Sequence, residues 1–589
     1  MAHAPQLLGP LGRRRRPLVD PRDGDIENDE SSPERRSLLA LAGNLLAEVS
    51  LPKMAAALVL LVVLPAVLLG LAPLIVSMWV HKLSSATSAY GIGAFVLLAV
   101  LVAVAWFGGR PLLRIMENSF WSLNAMAIQP GYVAWREVFM HLGQRVVGAD
   151  ASEAKRARNR AVASALSGVV ICALALWVLV LAWPWTRWTG TLGDLRTPHW
   201  LWVAALANAV VLSAGYLAVA ALVWGLADAT MDQPRELREF TPQRELVRSW
   251  RVAHLSDIHV VGERYGFRLG SGRAGPQGND QVIEVLKRLD ELHRREPLDV
   301  ILITGDLTDA GTSAEFAELL DALEGFPRLT DLIVALPGNH DLNVVDRANP
   351  ARFDLPTSPK KRLRQIRTVS ALAAMQGGRA RVVDAAHRRL GDTVNDALEP
   401  SAGDMAAFAD RGSRRLARST DEAWVSIFPM VIQPQREDGL GIIALNSNAE
   451  AHFSFTNALG LVSVEQAHAI EAATRQFPRA FWIVALHHHI VEHPKLGHAL
   501  AERIGTTLIN GNWLTRRLQR LADRAVVMHG HRHIDWIGRC GQLLIVSAPS
   551  PVMSKSDSDD LYFYVHTVGV DASGCIALAE PTRVSLGRP

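Results

Sequence analysis

The stretch RVAHLSDIH (residues 251–259) decides the fold of the C-terminal half, because an apolar run ends there in aspartate and histidine. Seven short apolar runs have the character of strands buried on both faces, and they are Arg251–Leu255, Asp299–Thr304, Leu332–Leu336, Gly441–Leu445, Trp482–Leu486, Ala525–Met528 and Leu543–Ser547. Amphipathic stretches between them, such as Gln281–Arg294 and Ser313–Leu323, predict helices. We therefore expect an α/β domain over residues 249–585.

Five of these runs end in side chains that can bind metal ions. The runs lead into Ser256-Asp257-Ile258-His259, Gly305-Asp306, Gly338-Asn339-His340-Asp341, His487-His488-His489 and Gly530-His531-Arg532-His533. In open α/β sheets, chemistry gathers beyond the carboxyl ends of the strands. Oxygen and imidazole ligands without thiolates suit divalent Mn, Fe, Zn or Co, whose identity stays open. So many donors fit two adjacent ions that share a carboxylate better than one tetrahedral ion.

This ordered series of motifs resembles the calcineurin-like metallophosphoesterase superfamily, and most of all its bacterial phosphodiesterase-like branch. The likeness covers roughly Arg251 to Val552 and implies a four-layer sandwich of two sheets flanked by helices. It also implies a role for each motif residue. The first metal ion would be bound by Asp257, His259 and His533, the second by Asn339, His487 and His531, and Asp306 would bridge the two.

The resemblance further implies that His340 is catalytic, stabilising or protonating the leaving oxygen, and that Asp341 orients His340. Within the run of three histidines, the family pattern favours His487 as the ligand, with His488 left as the alternative. We expect Asp309 to be a loop or capping residue, and His529 to lie near the site without binding metal.

The implied activity is hydrolysis of phosphomono- or phosphodiester bonds by a hydroxide that bridges two divalent ions. The substrate would be a small phosphate ester or a lipid-linked one. The alternative is a membrane receptor or scaffold that keeps the fold without catalysis. A net charge of only +3 over 589 residues gives no reason to expect nucleic acid as a partner. Oligomeric state is left open.

The N-terminal part has a different composition. The chain is 49% hydrophobic with a mean hydropathy of +0.13, which points to membrane segments. Four long stretches carry no Asp, Glu, Lys or Arg: Met54–His81, Leu83–Gly109, Ala161–Thr186 and Thr197–Ala227. They predict an all-α transmembrane region of four helices over residues 54–228, with spans at about 54–80, 90–109, 162–185 and 200–227. A polar, basic tail, residues 1–53, precedes them.

Basic residues in the flanks predict the orientation. Eight Lys or Arg precede the first span, one lies between the first two spans, eight lie between the second and third, and two lie between the last two. Because cytoplasmic flanks are enriched in Lys and Arg, this places the N-terminus and the catalytic domain in the cytoplasm. The lipid bilayer is then a partner, and the chain is a multi-pass protein of the cell membrane.

One further segment interrupts the strand pattern. Residues 347–418 hold fifteen Lys plus Arg against seven Asp plus Glu. Helical stretches such as Lys361–Met375 predict a basic helical insertion, an added cap on the domain. Its positive charge would recognise an anionic substrate or contact anionic lipid headgroups. Alternatively, the segment is a solvated helical face.

Overall fold

The fold is given by a computed structural model, which describes residues 17–29, 64–90, 131–145 in part, 153–191, 198–262, 278–345, 359–384, 387–412, 414–450, 454, 457–493, 506, 508–553 and 560–587. The chain divides into two compact units. One unit is Val49–Met231, and the other combines Met1–Glu48 with Asp232–Pro589.

The first unit is helical. Its long helices are α1 (Leu64–Tyr90), α2 (Glu153–Ala182, followed by the 3-10 turn Trp183–Trp185) and α3 (Pro198–Ala229). Two stretches of the described chain, Lys155–Trp185 and His199–Ala229, are long and apolar enough to cross a membrane. Much of their apolar surface is exposed: Trp177 is 62% exposed, Val180 65% and Leu226 64%. Core helices of soluble proteins bury such side chains.

The break predicted between the first two spans, at about residues 81–89, is not present in the structure. Helix α1 continues through Lys82 as far as Tyr90. A single lysine between two apolar stretches does not break a helix, because lysine is itself a good helix former. The remainder of the predicted second span, up to Gly109, lies outside the described residues, as does the start of the first. Four membrane spans are therefore not confirmed.

The second unit contains two β-sheets. The nine-stranded sheet has the order β1 (Pro234–Glu236), β11 (Trp536–Cys540), β12 (Leu543–Ser547), β10 (Ala525–His529), β9 (Phe481–Ala485), β8 (Leu440–Ala444), β7 (Met430–Ile432), β5 (Ala380–Asp384) and β6 (Arg389–Thr393). The six-stranded sheet has the order β14 (Ile576–Leu578), β13 (Leu561–Val570), β2 (Arg248–Leu255), β3 (Val300–Ile303) and β4 (Ile333–Ala335), with β15 (Thr582–Gly587) paired to β13. All seven predicted strands are present in this mixed α/β fold.

Helices surround the sheets. Those of eight residues or more are α4 (Asp280–Arg295), α5 (Ser313–Glu324), α6 (Pro359–Gln376), α7 (Val394–Arg411), α8 (Arg414–Ser426), α9 (Val464–Gln476) and α10 (Gly511–Leu518). One apolar core joins both sheets, since buried residues of β2 and β3 share a cluster with buried residues of β9 and β10. Strands β2, β3 and β4 run parallel, as do β8, β9, β10 and β12, so their carboxyl ends can present loops to one region.

The segment predicted as a basic helical cap is neither purely helical nor exposed. It contributes β5 and β6, a strand pair at the edge of the nine-stranded sheet. Helix α6 is largely buried, and its basic side chains bind the protein itself: Lys361 pairs with Glu450, Arg362 with Asp421, and Arg364 donates to the carbonyl oxygen of Leu342. Sequence could not show this, because the partners are distant along the chain.

The described part of the N-terminal tail packs on this domain. Arg367 of α6 donates to both carboxylate oxygens of Asp25, at 2.7 and 2.8 Å. Both side chains are buried, with exposures of 3% and 5%. The third guanidinium nitrogen of Arg367 donates to the carbonyl oxygen of Gly311 at 2.8 Å. Arg22 adds ion pairs to Asp321 and Glu324 on α5. The tail is therefore an ordered part of the soluble unit over residues 17–29.

Candidate metal centre

The predicted ligands meet at the carboxyl ends of strands from both sheets. Strands β2, β3 and β4 lead into Asp257, Asp306 and Asn339, and strands β9 and β10 lead into His487 and His531. Main-chain hydrogen bonds hold the loops together, with Asp257 N donating to the carbonyl oxygen of Gly305 at 3.0 Å. Gly530 N, in turn, donates to the carbonyl oxygen of His487 at 3.1 Å.

One group of candidate ligands consists of Asp257, His259 and His533, whose ligand atoms all lie within 4.8 Å of one another. His533 Nε2 is 3.2 Å from Asp257 Oδ1. Asp257 and His259 are fully buried, while the His533 side chain is 29% exposed. Asp257 Oδ1 accepts no hydrogen bond from the described residues, as expected of an oxygen kept for a cation.

A second group consists of Asp306, His487 and His531. His487 Nε2 lies 3.3 Å from Asp306 Oδ2 and 3.1 Å from the side-chain oxygen of Asn339. His531 Nδ1 lies 3.0 Å from the same His487 nitrogen. The structure thus brings all four side chains predicted for the second ion, including the shared Asp306, to one point.

Asp306 also belongs to a third group, with His259 and His340. Its Oδ2 is 3.6 Å from His259 Nε2, and its Oδ1 accepts a hydrogen bond from the His340 main-chain N–H at 2.9 Å. A carboxylate placed between two sets of imidazoles is suited to bridge two cations.

Backbone geometry marks the same residues. The non-glycine residues with positive φ in the described chain are Asp257, His259, Asp306, Arg388, His531 and His533, with φ between 41° and 77°. Five of these six are predicted ligands. This region of φ disfavours residues with a Cβ, and such strain persists where the surroundings fix it, commonly at functional sites.

Two glycines allow the loops to approach one another. A Cβ on Gly530 would lie 1.7 Å from Ser256 Oγ and 2.7 Å from Asp257 Oδ2. A Cβ on Gly338 would lie 2.1 Å from the main-chain nitrogen of Asp306. Glycine therefore precedes Asn339 and His531 at points where the backbone passes too close to the neighbouring loop for a side chain.

Between the two neighbouring histidines, His487 and not His488 faces Asp306. His488 Nδ1 lies 2.9 Å from Ser447 Oγ, which also accepts from the main-chain N–H groups of both histidines. Ser447 was not foreseen from the sequence. His529 lies in β10, is buried and belongs to none of the three groups.

The predicted role of Asp341 is wrong. Its carboxylate accepts from the main-chain N–H groups of Gly338, Leu307 and Thr308 and from the Thr308 hydroxyl, so it braces two loops instead of orienting His340. The residue that orients His340 is Asp309, whose carbonyl oxygen is 2.7 Å from His340 Nδ1. The Asp309 carboxylate is 3.0 Å from His259 Nδ1. The only indication of this role in the sequence is that Asp309 follows Asp306 by three residues.

Electrostatics favour ionised carboxylates at the centre. Burial alone would raise the pKa of Asp306, but the imidazoles of His487 and His340 hold it well below its usual range. Burial would lower the pKa of His487, yet the charge of Asp306 raises it to about 9. Burial, with the nearby charge of Asp306, raises the pKa of Asp341 to about 6. Burial lowers the pKa of His259, which favours the neutral, metal-binding imidazole.

The donor set fits two divalent cations. Its ligands are carboxylate, amide oxygen and imidazole, which suit Mn, Fe, Zn or Co. Asp306 is shared, and each set has buried donors fixed by bonds from its neighbours, as the Asp309 to His259 contact illustrates. The side chains of His340 and His533 are 12% and 29% exposed, so solvent reaches the centre on their side.

Comparison with known proteins agrees with this centre. The sequence model of the calcineurin-like phosphoesterase family matches residues 251–421. A 3',5'-cyclic-nucleotide phosphodiesterase of Nostoc sp. is 34% identical over 90 residues, which are 15% of this chain and 30% of that protein. A cAMP/cGMP dual specificity phosphodiesterase of Mycobacterium tuberculosis is 34% identical over 109 residues, 18% of this chain and 31% of that protein. The matches thus span about a third of these relatives.

Solved structures also align with the chain. A dimetal phosphatase from Danio rerio aligns at 10% identity and TM-score 0.32, covering 58% of this chain and 99% of that one. A purple acid phosphatase from yellow lupin aligns at 10% identity and TM-score 0.28, covering 57% and 54%. TM-scores this low do not by themselves establish a common fold. The chain therefore contains a segment, residues 251–421, that matches the calcineurin-like phosphoesterase domain.

Proposed function

We propose that this chain is a membrane-anchored, metal-dependent phosphodiesterase with its active site facing the cytoplasm. The observation that carries the proposal is the position of Asp306 between two sets of imidazoles, with His340 at the solvent-facing edge. Curated relatives over the matched segment are named as cyclic-nucleotide phosphodiesterases, which supports a phosphodiester substrate.

In this proposal, one ion would be held by Asp257, His259 and His533, the other by Asn339, His487 and His531, and both by Asp306. When bound, two divalent ions draw negative charge from a phosphoryl group and lower the pKa of a coordinated water.

The protein's own residues would position the substrate and transfer one proton to the leaving oxygen. His340 lies on the open side of the centre. Its Nδ1 carries the hydrogen, because it contacts the carbonyl oxygen of Asp309, and Nε2 is therefore the nitrogen that can face a substrate. When protonated, Nε2 would donate to the leaving oxygen, which matters most for an alkoxide leaving group. Asp341, bonded to Gly338, Leu307 and Thr308, holds the loop that carries His340.

The test is hydrolysis of an aryl phosphodiester by the detergent-solubilised protein with added Mn²⁺. Activity is expected in the parent and should be lost in Asp306→Ala, with a smaller decrease in His340→Ala because an aryl leaving group needs little protonation. His387→Ala is the matched control, because His387 is a histidine with 66% of its side chain exposed and lies outside all three groups. A parent that is inactive with every metal tried would favour the scaffold alternative.

Membrane anchoring with four spans is part of the same proposal. It is supported by the exposed apolar surface of α2 and α3 and by the docking of the tail. The contacts of residues 17–29 with the C-terminal domain support an even number of crossings, because both flanks of the apolar region would then lie on one side of the bilayer. The basic flanks support the cytoplasm as that side.

Topology can be measured by cysteine labelling. In a background without Cys172, Cys540 and Cys575, a membrane-impermeant maleimide added to intact cells is expected to label Thr189→Cys, in the loop before α3. Ala572→Cys, on the soluble domain, should be labelled only after permeabilisation. Labelling of Ala572→Cys in intact cells would overturn the cytoplasmic assignment.

A further inference from the structure

A second set of histidines lies beside the candidate dinuclear centre and belongs to none of its groups. His489, His493 and His529 form a triangle, with ring centroids 5.8 Å apart for His489 and His493, 6.5 Å for His489 and His529, and 5.9 Å for His493 and His529. All three are buried. His489 and His493 lie on the loop after β9, and His529 is the last residue of β10.

The polar atoms of this triangle lack partners. Both ring nitrogens of His489, both of His493, and Nε2 of His529 form no hydrogen bond with the described residues. The same is true of Trp536 Nε1 and Ser547 Oγ nearby. Strand register places Ser547 opposite both His529 and Trp536, and the Trp536 ring is 5.3 Å from that of His493. Buried polar groups are nearly always satisfied, so seven such atoms without a partner among the described residues favour an ion or water between them.

We propose that His489, His493 and His529 bind a third divalent cation, separate from the pair at Asp306. Three imidazoles without a thiolate suit a borderline ion such as Zn²⁺, Co²⁺ or Cu²⁺, and leave a fourth position open. A carboxylate lies beside the cluster, because Glu492 Oε1 is 3.9 Å from His489 Nε2, and Glu492 also pairs with Arg532 at 3.3 Å. In this proposal, His489 and His493 of the segment His489-Ile490-Val491-Glu492-His493 bind metal, although the phosphoesterase centre does not use them.

The rings are more widely spaced than in a closed site. With Zn–N bonds of about 2.0–2.1 Å, two imidazoles on one tetrahedral ion have centroids roughly 5 Å apart. Binding therefore draws these rings inward by about 1 Å. The site would also be close to the dinuclear centre, because the His489 ring stacks 6.2 Å from that of His531.

The experiment counts ions by mass spectrometry in full-length protein, stripped and reloaded with Zn²⁺, for the parent, His493→Gln and Asp306→Asn. The proposal predicts that His493→Gln loses one ion per chain, whatever the total in the parent, and that the loss adds to that of Asp306→Asn. The difference in bound ions between the parent and His493→Gln tests the third site alone. The difference in bound ions between the parent and Asp306→Asn tests the proposed active site. Equal zinc content in the parent and His493→Gln would overturn the third site and leave a water-filled cavity.

Two further variants exclude a simple folding defect. His566→Gln removes a buried histidine outside both clusters and should retain every ion. His493→Cys supplies another zinc ligand and should restore the ion that His493→Gln loses. Reloading with Co²⁺ gives a second readout, since the visible absorption of four-coordinate cobalt should persist in Asp306→Asn and vanish in His493→Gln. Absorption that survives in His493→Gln would contradict the proposal.

Discussion

The carbonyl oxygen of Asp309 lies 2.7 Å from Nδ1 of His340, and this contact fixes the ring of the residue proposed to protonate the leaving group. The carboxylate of the same aspartate lies 3.0 Å from Nδ1 of His259. One loop residue therefore orients both a proposed metal ligand and the proposed general acid, a relation that a list of motifs does not reveal.

Replacing Asp309 with alanine is expected to lower metal affinity or kcat by about 10–100-fold, because groups that orient ligands commonly contribute that much. Metal titration and steady-state kinetics measure the two effects separately. Asp321→Ala, whose side chain is 57% exposed on α5, is the control and should leave both unchanged. Alanine keeps the carbonyl oxygen that contacts His340, so wild-type affinity and kcat in Asp309→Ala would show that the carboxylate contact to His259 is incidental.

Replacing His340 with alanine should lower kcat by about 10²–10⁴-fold for diesters with alkoxide leaving groups. The loss should be smaller for nitrophenyl esters, whose leaving groups need no proton. Comparing the two substrate types in parent and variant isolates the proton transfer from other roles of the side chain. An equal loss for both would mean that His340 positions the phosphate and does not act as an acid.

Metal binding should depend on pH through His487. In the metal-free protein the charge of Asp306 raises the pKa of His487 from 6.5 to about 9, so the imidazole is protonated at neutral pH. An ion must displace that proton, and apparent affinity should rise about tenfold per pH unit between roughly pH 7 and 9. Titrations at several pH values, with proton release followed in weak buffer, measure this. Affinity that does not change with pH would refute it.

The same pair affects the stability of the metal-free protein. A histidine whose pKa is raised on folding stabilises fully below its unfolded pKa, near 6.5, and the contribution is lost as pH rises through about 9. Denaturant unfolding of chelator-treated protein should therefore give a larger free energy of unfolding at pH 6 than at pH 9.5. His487→Gln should make this difference in the free energy of unfolding smaller.

The ion pair between Asp25 and Arg367 should be important for stability. Removing one partner of a buried pair costs about 3–5 kcal/mol, whereas exposed pairs contribute about 0–1 kcal/mol. Asp25→Asn is therefore expected to destabilise the soluble unit far more than Asp321→Asn, which weakens the exposed pair with Arg22. Denaturant midpoints and the protease sensitivity of residues 17–29 report the effect. Equal destabilisation by the two variants would show that the tail is not held as described.

Sequence predicted the strands well, because runs such as Trp482–Leu486 are apolar throughout and end at turn residues. The ligand positions followed from the order of the motifs. The left-handed backbone at Asp257 and His531 could not be predicted, since it arises from packing between two sheets. Nor could the partner of Asp25, which lies 342 residues away on α6.

The errors have local causes. A single lysine at position 82 suggested a boundary between spans. Helix α1 continues past it, because lysine has a high helix propensity. The excess of basic residues in the insertion looked like a solvated or ligand-binding surface, yet Arg364 and Arg367 are buried against main-chain oxygens. Asp341 looked like the partner of the adjacent His340, but neighbouring residues at the start of a helical turn point in different directions.

The most direct test of the central claim measures bound metal and phosphodiester hydrolysis together, on the same preparations of parent and Asp306→Asn. The account predicts that the stripped parent is inactive, that Mn²⁺ restores hydrolysis as ions bind, and that Asp306→Asn binds fewer ions and stays inactive. Metal content and hydrolysis that are unchanged in Asp306→Asn would contradict it.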